Sequence, residues 1–424
     1  MESNIKIVII NHTFQTEFFY KRWEILAKQH QNLDVTLLAP AEWTWGEGKT
    51  LTFGKTEKKY GKCIDEGNFH IHTIDIIPHK FRSWTSKLLK KELKKINPDI
   101  IYHIGLHFQD SLYEVIRYAK WHLPKAKVIA FSMRGPYHDN RINTNKTSKF
   151  KWIARRIYYL YMKIMLGYVN RNCDAIFCHY PDAVDCFKRE GYNGPIYMQT
   201  QVGVNTDNFK PDESLRKDIR EKYNLGDSFV FGSATRFTPD KGLSDIIEAL
   251  PKNGNWKYLI IGSGLPEEEE VIKKQILIRG LQEKIILTGY INRSNMPAYW
   301  NALDCAIHVP RTSDNWVETF SLAIVQAMAT GKPIIGNSSG SVPYQIGPDG
   351  IVVEEKNIQA LHDKISWVIE HPEDAKLIGQ KMRNRAIKCF SVQHLNEMFY
   401  DTIIDIKNGV FDAKKQDMSN YKTE

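Results

Sequence analysis

WVETFSLAIVQAMATGKPII, residues Trp316–Ile335, places one acid, Glu318, just ahead of an apolar run of helical character. Eight residues further on, inside that run, stands Gln326. Thr-Gly-Lys-Pro then ends the helix, because glycine and proline do not continue it, and KPII begins an apolar strand. Another apolar strand, CAIHVP, precedes the stretch. Strand, helix and strand in this order are the unit of a parallel sheet covered by helices.

Working outward, the alternation continues in both directions. Upstream lie SFVFGSAT, GLSDIIEAL, KYLIIGSG, EEEEVIKKQILIRG, KIILTGY and MPAYWNAL, strands and helices in turn. A polar linker, NTDNFKPDESLRKDIREKYNLGD, separates them from an earlier series. That series opens with IKIVII, a helix containing FFYKRWEILAKQ, and DVTLLAP, and continues through FHIHTIDII, KLLKKELKKI, PDIIYHIG, KVIAFSM and CDAIFCH to GPIYMQTQVG. Between DVTLLAP and FHIHTIDII, residues 42–69 read as a long polar excursion. The expected architecture is α/β, with two Rossmann-like, doubly wound domains facing across a cleft. Their expected bounds are 1–205 and 206–385, followed by a helical segment 386–410 crossing back to the first domain and a frayed polar tail 411–424.

The bulk composition excludes several classes. With 424 residues, 42% hydrophobic and 25% charged, the chain can build two sizeable cores and is not a disordered segment. No apolar run reaches membrane-spanning length, and MESNIKIVIINHTF has no basic-then-apolar secretory pattern, so a cytoplasmic location is expected. Six scattered cysteines without a C-x-x-C pair read as free thiols, and Cys173 and Cys178 are poorly spaced for a metal. The net charge of +9 is uneven: residues 1–206 hold 31 Lys and Arg against 19 acids, the remainder 27 against 30. The two halves are therefore expected to meet different partners.

In doubly wound sheets, ligands bind beyond the C-terminal ends of the strands. In the second domain those ends carry Arg236 and Lys241, cations suited to a diphosphate, then Gly262-Ser263-Gly264, then Thr288-Gly289-Tyr290, then the loop with Glu318. Each has an ordinary reading as surface loop or turn; together they fill one rim. The assembly resembles the retaining, nucleotide-sugar-dependent GT-B glycosyltransferases of family 4. The family pattern is an acid, seven residues, a second acid, then A-M-A-x-G-x-P, and the chain has it from Glu318 to Pro333 with Gln326 as the second position. VGVNTDNFKP, FTPDKGLSDIIEAL, LIIGSG with its acidic helix, and TGYINRSNMPAYWNALDCAIHVP match as well, so the resemblance is specific over about residues 200–350.

The resemblance implies that Arg236 and Lys241 hold the donor diphosphate and Glu318 the sugar hydroxyls. Thr319, Phe320, Ser321 and Leu322 would lie by sugar and phosphates, with Gly264, Thr288, Gly289 and Tyr290 completing the nucleotide side. The second acid of the family accepts from ribose hydroxyls. Gln326 can still accept but makes no charge-assisted bond, so weaker nucleotide binding is expected. With two cations at the diphosphate and no Asp-x-Asp after an apolar strand, neither a metal nor another cofactor is expected.

On the first domain, expected to take a glycan or lipid-linked acceptor, the strand ends offer His12, His103 and Arg134. For His103 a core role and a cleft role both stand; for Arg134 the alternative is a buried salt bridge. Residues 79–95 and 146–171 mix basic and aromatic residues at helical spacing. They read either as a peripheral contact with anionic membrane, at the inner face of the cell membrane, or as core-facing helices with basic flanks. No nucleic-acid-binding pattern is present. The expected function is sugar transfer from a UDP- or GDP-sugar in surface polysaccharide or glycolipid synthesis. The alternatives are a non-catalytic nucleotide-sugar-binding homologue, suggested by Gln326, and a glycogen- or sucrose-type synthase, whose Lys-x-Gly-Gly opening is absent.

Overall fold

The computed structural model describes residues 4–45, 57–78, 84–105, 110–132, 149–314 and 316–410. The chain divides into two compact units, changing between Val202 and Gly203 and again between His394 and Leu395. The first unit contains β1 (Ile5–Ile10), α1 (Glu17–Gln29), β2 (Leu33–Pro40), β3 (Glu42–Trp45), β4 (Glu57–Tyr60), β5 (Ile64–Glu66), β6 (Phe69–Ile74), β7 (Ile77–Pro78) and β8 (Trp84–Thr85). It continues with α2 (Lys87–Ile96), β9 (Ile100–Ile104), α3 (Asp110–His122), β10 (Lys127–Phe131), α4 (Lys149–Asn172), β11 (Ala175–Cys178), α5 (Pro181–Arg189) and β12 (Ile196–Met198). Its main sheet runs β12-β11-β10-β9-β1-β2-β6-β5. Every pair is parallel except β5 with β6. Strands covered on both faces must be apolar throughout, which is why IKIVII buries five of its six residues.

The described residues of the polar excursion form short strands. β3 and β4 pair antiparallel, Glu42 opposite Tyr60, and β5 adds an antiparallel edge to β6. With 4, 4 and 3 residues, β3, β4 and β5 are too short for alternation to stand out in sequence.

The second unit contains α6 (Glu213–Lys222), β13 (Phe229–Ala234), α7 (Leu243–Ala249), β14 (Trp256–Ile261), α8 (Pro266–Arg279), β15 (Ile285–Gly289), α9 (Met296–Ala302), β16 (Cys305–His308) and α10 (Leu322–Ala329). Then come β17 (Ile334–Asn337), α11 (Val342–Ile346), β18 (Ile351–Val353), α12 (Ile358–Glu370), α13 (Pro372–Arg385) and the start of α14 (Val392–Asn408). Its sheet is wholly parallel in the order β15-β14-β13-β16-β17-β18. The order reverses between β13 and β16, so the loops leaving these two strands diverge and open a crevice. The opening stretch supplies the second of those loops and α10.

Both chain crossings lie side by side. Val204 N–H donates to Phe390 O at 2.9 Å, and Val392 N–H to Val204 O at 3.0 Å. From residue 395 onward α14 belongs to the first unit, where Phe399, Ile403 and Ile406 join the core formed by Ile7, Val35 and Tyr102. Arg22 of α1 fastens this arrangement. It is buried, and it donates to Thr200 O at 2.7 Å, Leu395 O at 3.0 Å and Asn396 Oδ1 at 2.9 Å.

Candidate functional site

The loops at the reversal point of the second sheet bring together much of the expected donor constellation. The loop leaving β13 runs along the turn after β14: Thr235 N–H donates to Ile261 O at 2.9 Å and Phe237 N–H to Ser263 O at 3.2 Å. Gly262 permits this approach, since at φ +140° a Cβ there would sit 1.9 Å from Thr235 O. Arg236, half-buried, lies between these two contacts. Lys241 ends the short turn Pro239–Lys241 just before α7.

Glu318 is pinned through its backbone and neutralised through its side chain. Ser341 N–H donates to Glu318 O at 2.8 Å. Gly340, at φ +50°, leaves no room for a Cβ, which would meet Glu318 O at 2.2 Å. Gln345 holds the next part of the loop at both ends of its amide, accepting from Ser321 N–H at 2.7 Å and donating to Ser321 O at 3.0 Å. The Glu318 carboxylate accepts from Lys241 Nζ at 2.8 Å, with His308 Nε2 3.4 Å from the same oxygen. Lys241 also stacks over the Trp316 ring, 4.1 Å from its centroid. Burial pushes the Glu318 carboxyl up, but the Lys241 charge and His308 outweigh it and hold it at about 2. Glu318 is therefore ionised at neutral pH and can only accept hydrogen bonds.

Gln326 is buried on α10, and its Oε1 accepts from the Trp300 indole N–H at 3.2 Å. An indole only donates, so this bond fixes the amide with its NH₂ turned the other way. Thr319, Phe320 and Leu322 are half-buried around the buried Ser321. The first turn of α10 has no acidic residue. That of α8, by contrast, carries Glu267, Glu268 and Glu269, and Glu268 and Glu269 accept from Leu265 and Gly264 N–H. The N-terminus of α8 is thus closed to an anion, and the Gly264 amide is already engaged. Gly289 O is likewise engaged, by Gly262 N–H at 3.0 Å, while Tyr290 is exposed.

In the first unit, His12 is half-buried with its ring 4.6 Å from that of Trp43. His103, for which a core role and a cleft role were both open, is 1% exposed and its Nε2 meets Ser111 Oγ at 2.9 Å. Burial, with the nearby His12 charge, lowers it to about 3, so it is neutral in the interior. Arg134 lies outside the described residues, as do 79–83 and 146–148. In α2 Leu89 and Leu93 are buried while Leu88 is exposed. All six cysteines are free, and among the described residues no three His, Cys, Asp or Glu are grouped to hold a metal ion.

His308, Trp316, Trp300 and Gln345 are not distinguished by sequence reasoning. Their weak signal is position alone, at a strand end or within the helices flanking Glu318 and Gln326.

Two doubly wound units of this topology form the GT-B fold. The whole chain superposes on sucrose-phosphate synthase from Thermosynechococcus elongatus with a TM-score of 0.67, covering 96% of this chain and 100% of that one at 15% identity. Anabaena HepE in complex with UDP and glucose gives 0.66 at 17% identity, covering 95% and 100%. Residues 216–385 match the family described as glycosyl transferases group 1. It is 29% identical over 193 residues to the GDP-mannose-dependent alpha-(1-6)-phosphatidylinositol monomannoside mannosyltransferase of Mycolicibacterium smegmatis, 44% of this chain and 50% of that relative. The match spans about half the length of that relative.

Proposed function

We propose that the chain transfers a sugar from a UDP- or GDP-sugar to a glycan or lipid-linked acceptor, with retention of configuration and without a metal ion, in surface polysaccharide or glycolipid synthesis. The observation that carries this is the buried Lys241–Glu318 ion pair at the reversal point of the second sheet. The relatives' nucleoside-diphosphate donors support it.

In this reading Arg236 and Lys241 meet the diphosphate as negative charge grows on the leaving phosphate, aided by the first-turn amides of α10. Glu318, ionised, accepts from donor sugar hydroxyls and favours positive charge on the sugar. The bond from the anomeric carbon to the phosphate breaks, and the acceptor oxygen bonds to that carbon on the same face. Its proton passes to the departing phosphate oxygen. Thr319–Leu322 line the sugar, Gln326 the ribose, and Gly264 and Thr288–Tyr290 the base side. His12 and Arg134 are proposed for the acceptor in the first unit.

The test is a thermal-shift screen of UDP, GDP, ADP and their sugar conjugates. One nucleotide should stabilise the wild type, and its sugar conjugate should do so further. A glutamate at 326 could keep the Trp300 bond and still offer a charged acceptor to a hydroxyl, so Gln326→Glu is expected to tighten nucleotide binding about tenfold. If wild type binds nothing and only Gln326→Glu binds, the chain is a silenced homologue.

A membrane contact is proposed for α4. Ile157, Leu160, Tyr161 and Ile164, spaced three and four apart, are all exposed, as are Arg156 and Lys163 beside them. The helix contains no Asp or Glu, which suits an anionic surface. Vesicles containing phosphatidylglycerol should sediment the protein, and pure phosphatidylcholine should not. The triple variant Ile157→Ser, Leu160→Ser, Ile164→Ser should stay in solution; equal sedimentation of variant and wild type would remove the idea.

A further inference from the structure

One oxygen of Glu318 has two nitrogen neighbours, and the proposed chemistry draws one of them away. Lys241 Nζ donates to Oε2 at 2.8 Å, while His308 Nε2 stands 3.4 Å from the same atom. His308 is the last residue of β16, at the reversal point, and its side chain is 10% exposed. The Nε2 atom is buried and has no hydrogen-bonded partner. A buried nitrogen held just beyond hydrogen-bond length from a carboxylate needs an explanation.

Lys241 cannot hold a diphosphate and keep its full bond to Glu318. Once it turns, Glu318, 7% exposed, would remain as a buried carboxylate without its counter-charge. Leaving one member of a buried pair alone is strongly unfavourable, enough to lower donor affinity by about a hundredfold. Asp240, 4.0 Å from Lys241, carries the wrong charge to help. His308 carries a ring N–H and is already in place.

We propose that His308 is a positioning residue that takes over Glu318 when the diphosphate engages Lys241. The Nε2–H closes the short gap to Oε2 and keeps the carboxylate aimed at the sugar hydroxyls. Lys241 then exchanges partners without Glu318 losing all of its own. This inference rests on the donor reading above.

The experiment is isothermal titration of the full chain with UDP and with GDP. The proteins are wild type, His308→Leu, His308→Gln, Glu318→Gln, and the double variant His308→Leu with Glu318→Gln. For whichever nucleotide binds, His308→Leu should weaken binding about 10- to 100-fold. His308→Gln, whose amide N–H can reach the same oxygen, should recover most of the loss. With Glu318→Gln there is no carboxylate charge to hold, so His308→Leu should then change affinity less than about twofold. Melting without nucleotide should change little for His308→Leu, because in the free protein Lys241 still holds the Glu318 carboxylate at 2.8 Å.

If His308→Leu binds as wild type does, the inference fails and the donor reading stands. An equal loss with and without the Glu318 carboxylate would make His308 a packing residue and overturn the inference. If neither nucleotide binds wild type, the donor reading and the inference fall together.

Discussion

Glu318→Ala is expected to lower kcat/KM for sugar transfer by about a thousandfold, the range seen when a fixed electrostatic group facing a transition state is removed. The same change should destabilise the second unit by about 3 kcal/mol, because Lys241 is left buried without its carboxylate. Lys241 has an 11% exposed side chain, and its remaining neighbours are Asp240 at 4.0 Å and the Trp316 ring. These compensate in part, which puts the cost at the lower end of the range for broken buried pairs. The pH dependence follows from the same pair. The Glu318 carboxyl is held at about 2 against an ordinary 4.5, so its stabilisation is complete above the ordinary value and fades as pH falls through about 2. Urea unfolding of wild type and Glu318→Ala should therefore differ most above pH 5 and converge toward pH 2. A constant difference across that window would disprove the ion pair's role, and unimpaired transfer by Glu318→Ala would remove the site.

Arg22→Met should destabilise the first unit by about 4 kcal/mol while leaving the second unit's nucleotide affinity within about threefold of wild type. Burial lowers the guanidinium to about 10, yet it remains a cation at neutral pH. It is satisfied by two carbonyls and an amide oxygen, and it lies 4.8 Å from the Trp23 ring centroid. Methionine fills much of the volume but leaves Thr200 O, Leu395 O and Asn396 Oδ1 without that donor. Calorimetry should then resolve an early transition for the first unit, with a later one still raised by nucleotide. A single unshifted transition would show that Arg22 adds little.

The parallel strands were legible because burial on both faces demands unbroken apolar runs, as in Ile5–Ile10 and Trp256–Ile261. The spacing of Glu318 and Gln326 was legible because one closes a loop and the other lies on the helix that follows it. Pairwise partners were not. Nothing local to His308 indicates that Glu318, ten residues on, folds back to within 3.4 Å of it. Trp300 and Gln326 meet across two helices, so their hydrogen bond is a property of packing alone. Arg22 sits among apolar neighbours in a helix that sequence reads as amphipathic, and its acceptors lie at least 178 residues away in the chain. His103 was undecided because a strand-end histidine looks the same whether it faces solvent or the interior.

The return of α14 also sets an order of events during synthesis. Phe399, Ile403 and Ile406 complete the core of the first unit, but a ribosome makes them after the whole of β13 to β18. The second unit, whose residues run from 203 to 394, can therefore close while the first still lacks a wall. The nascent first unit spends that interval with the surface around Ile7, Val35 and Tyr102 uncovered, a period in which a chaperone or an early cleavage has its best access. The half that starts first is finished last.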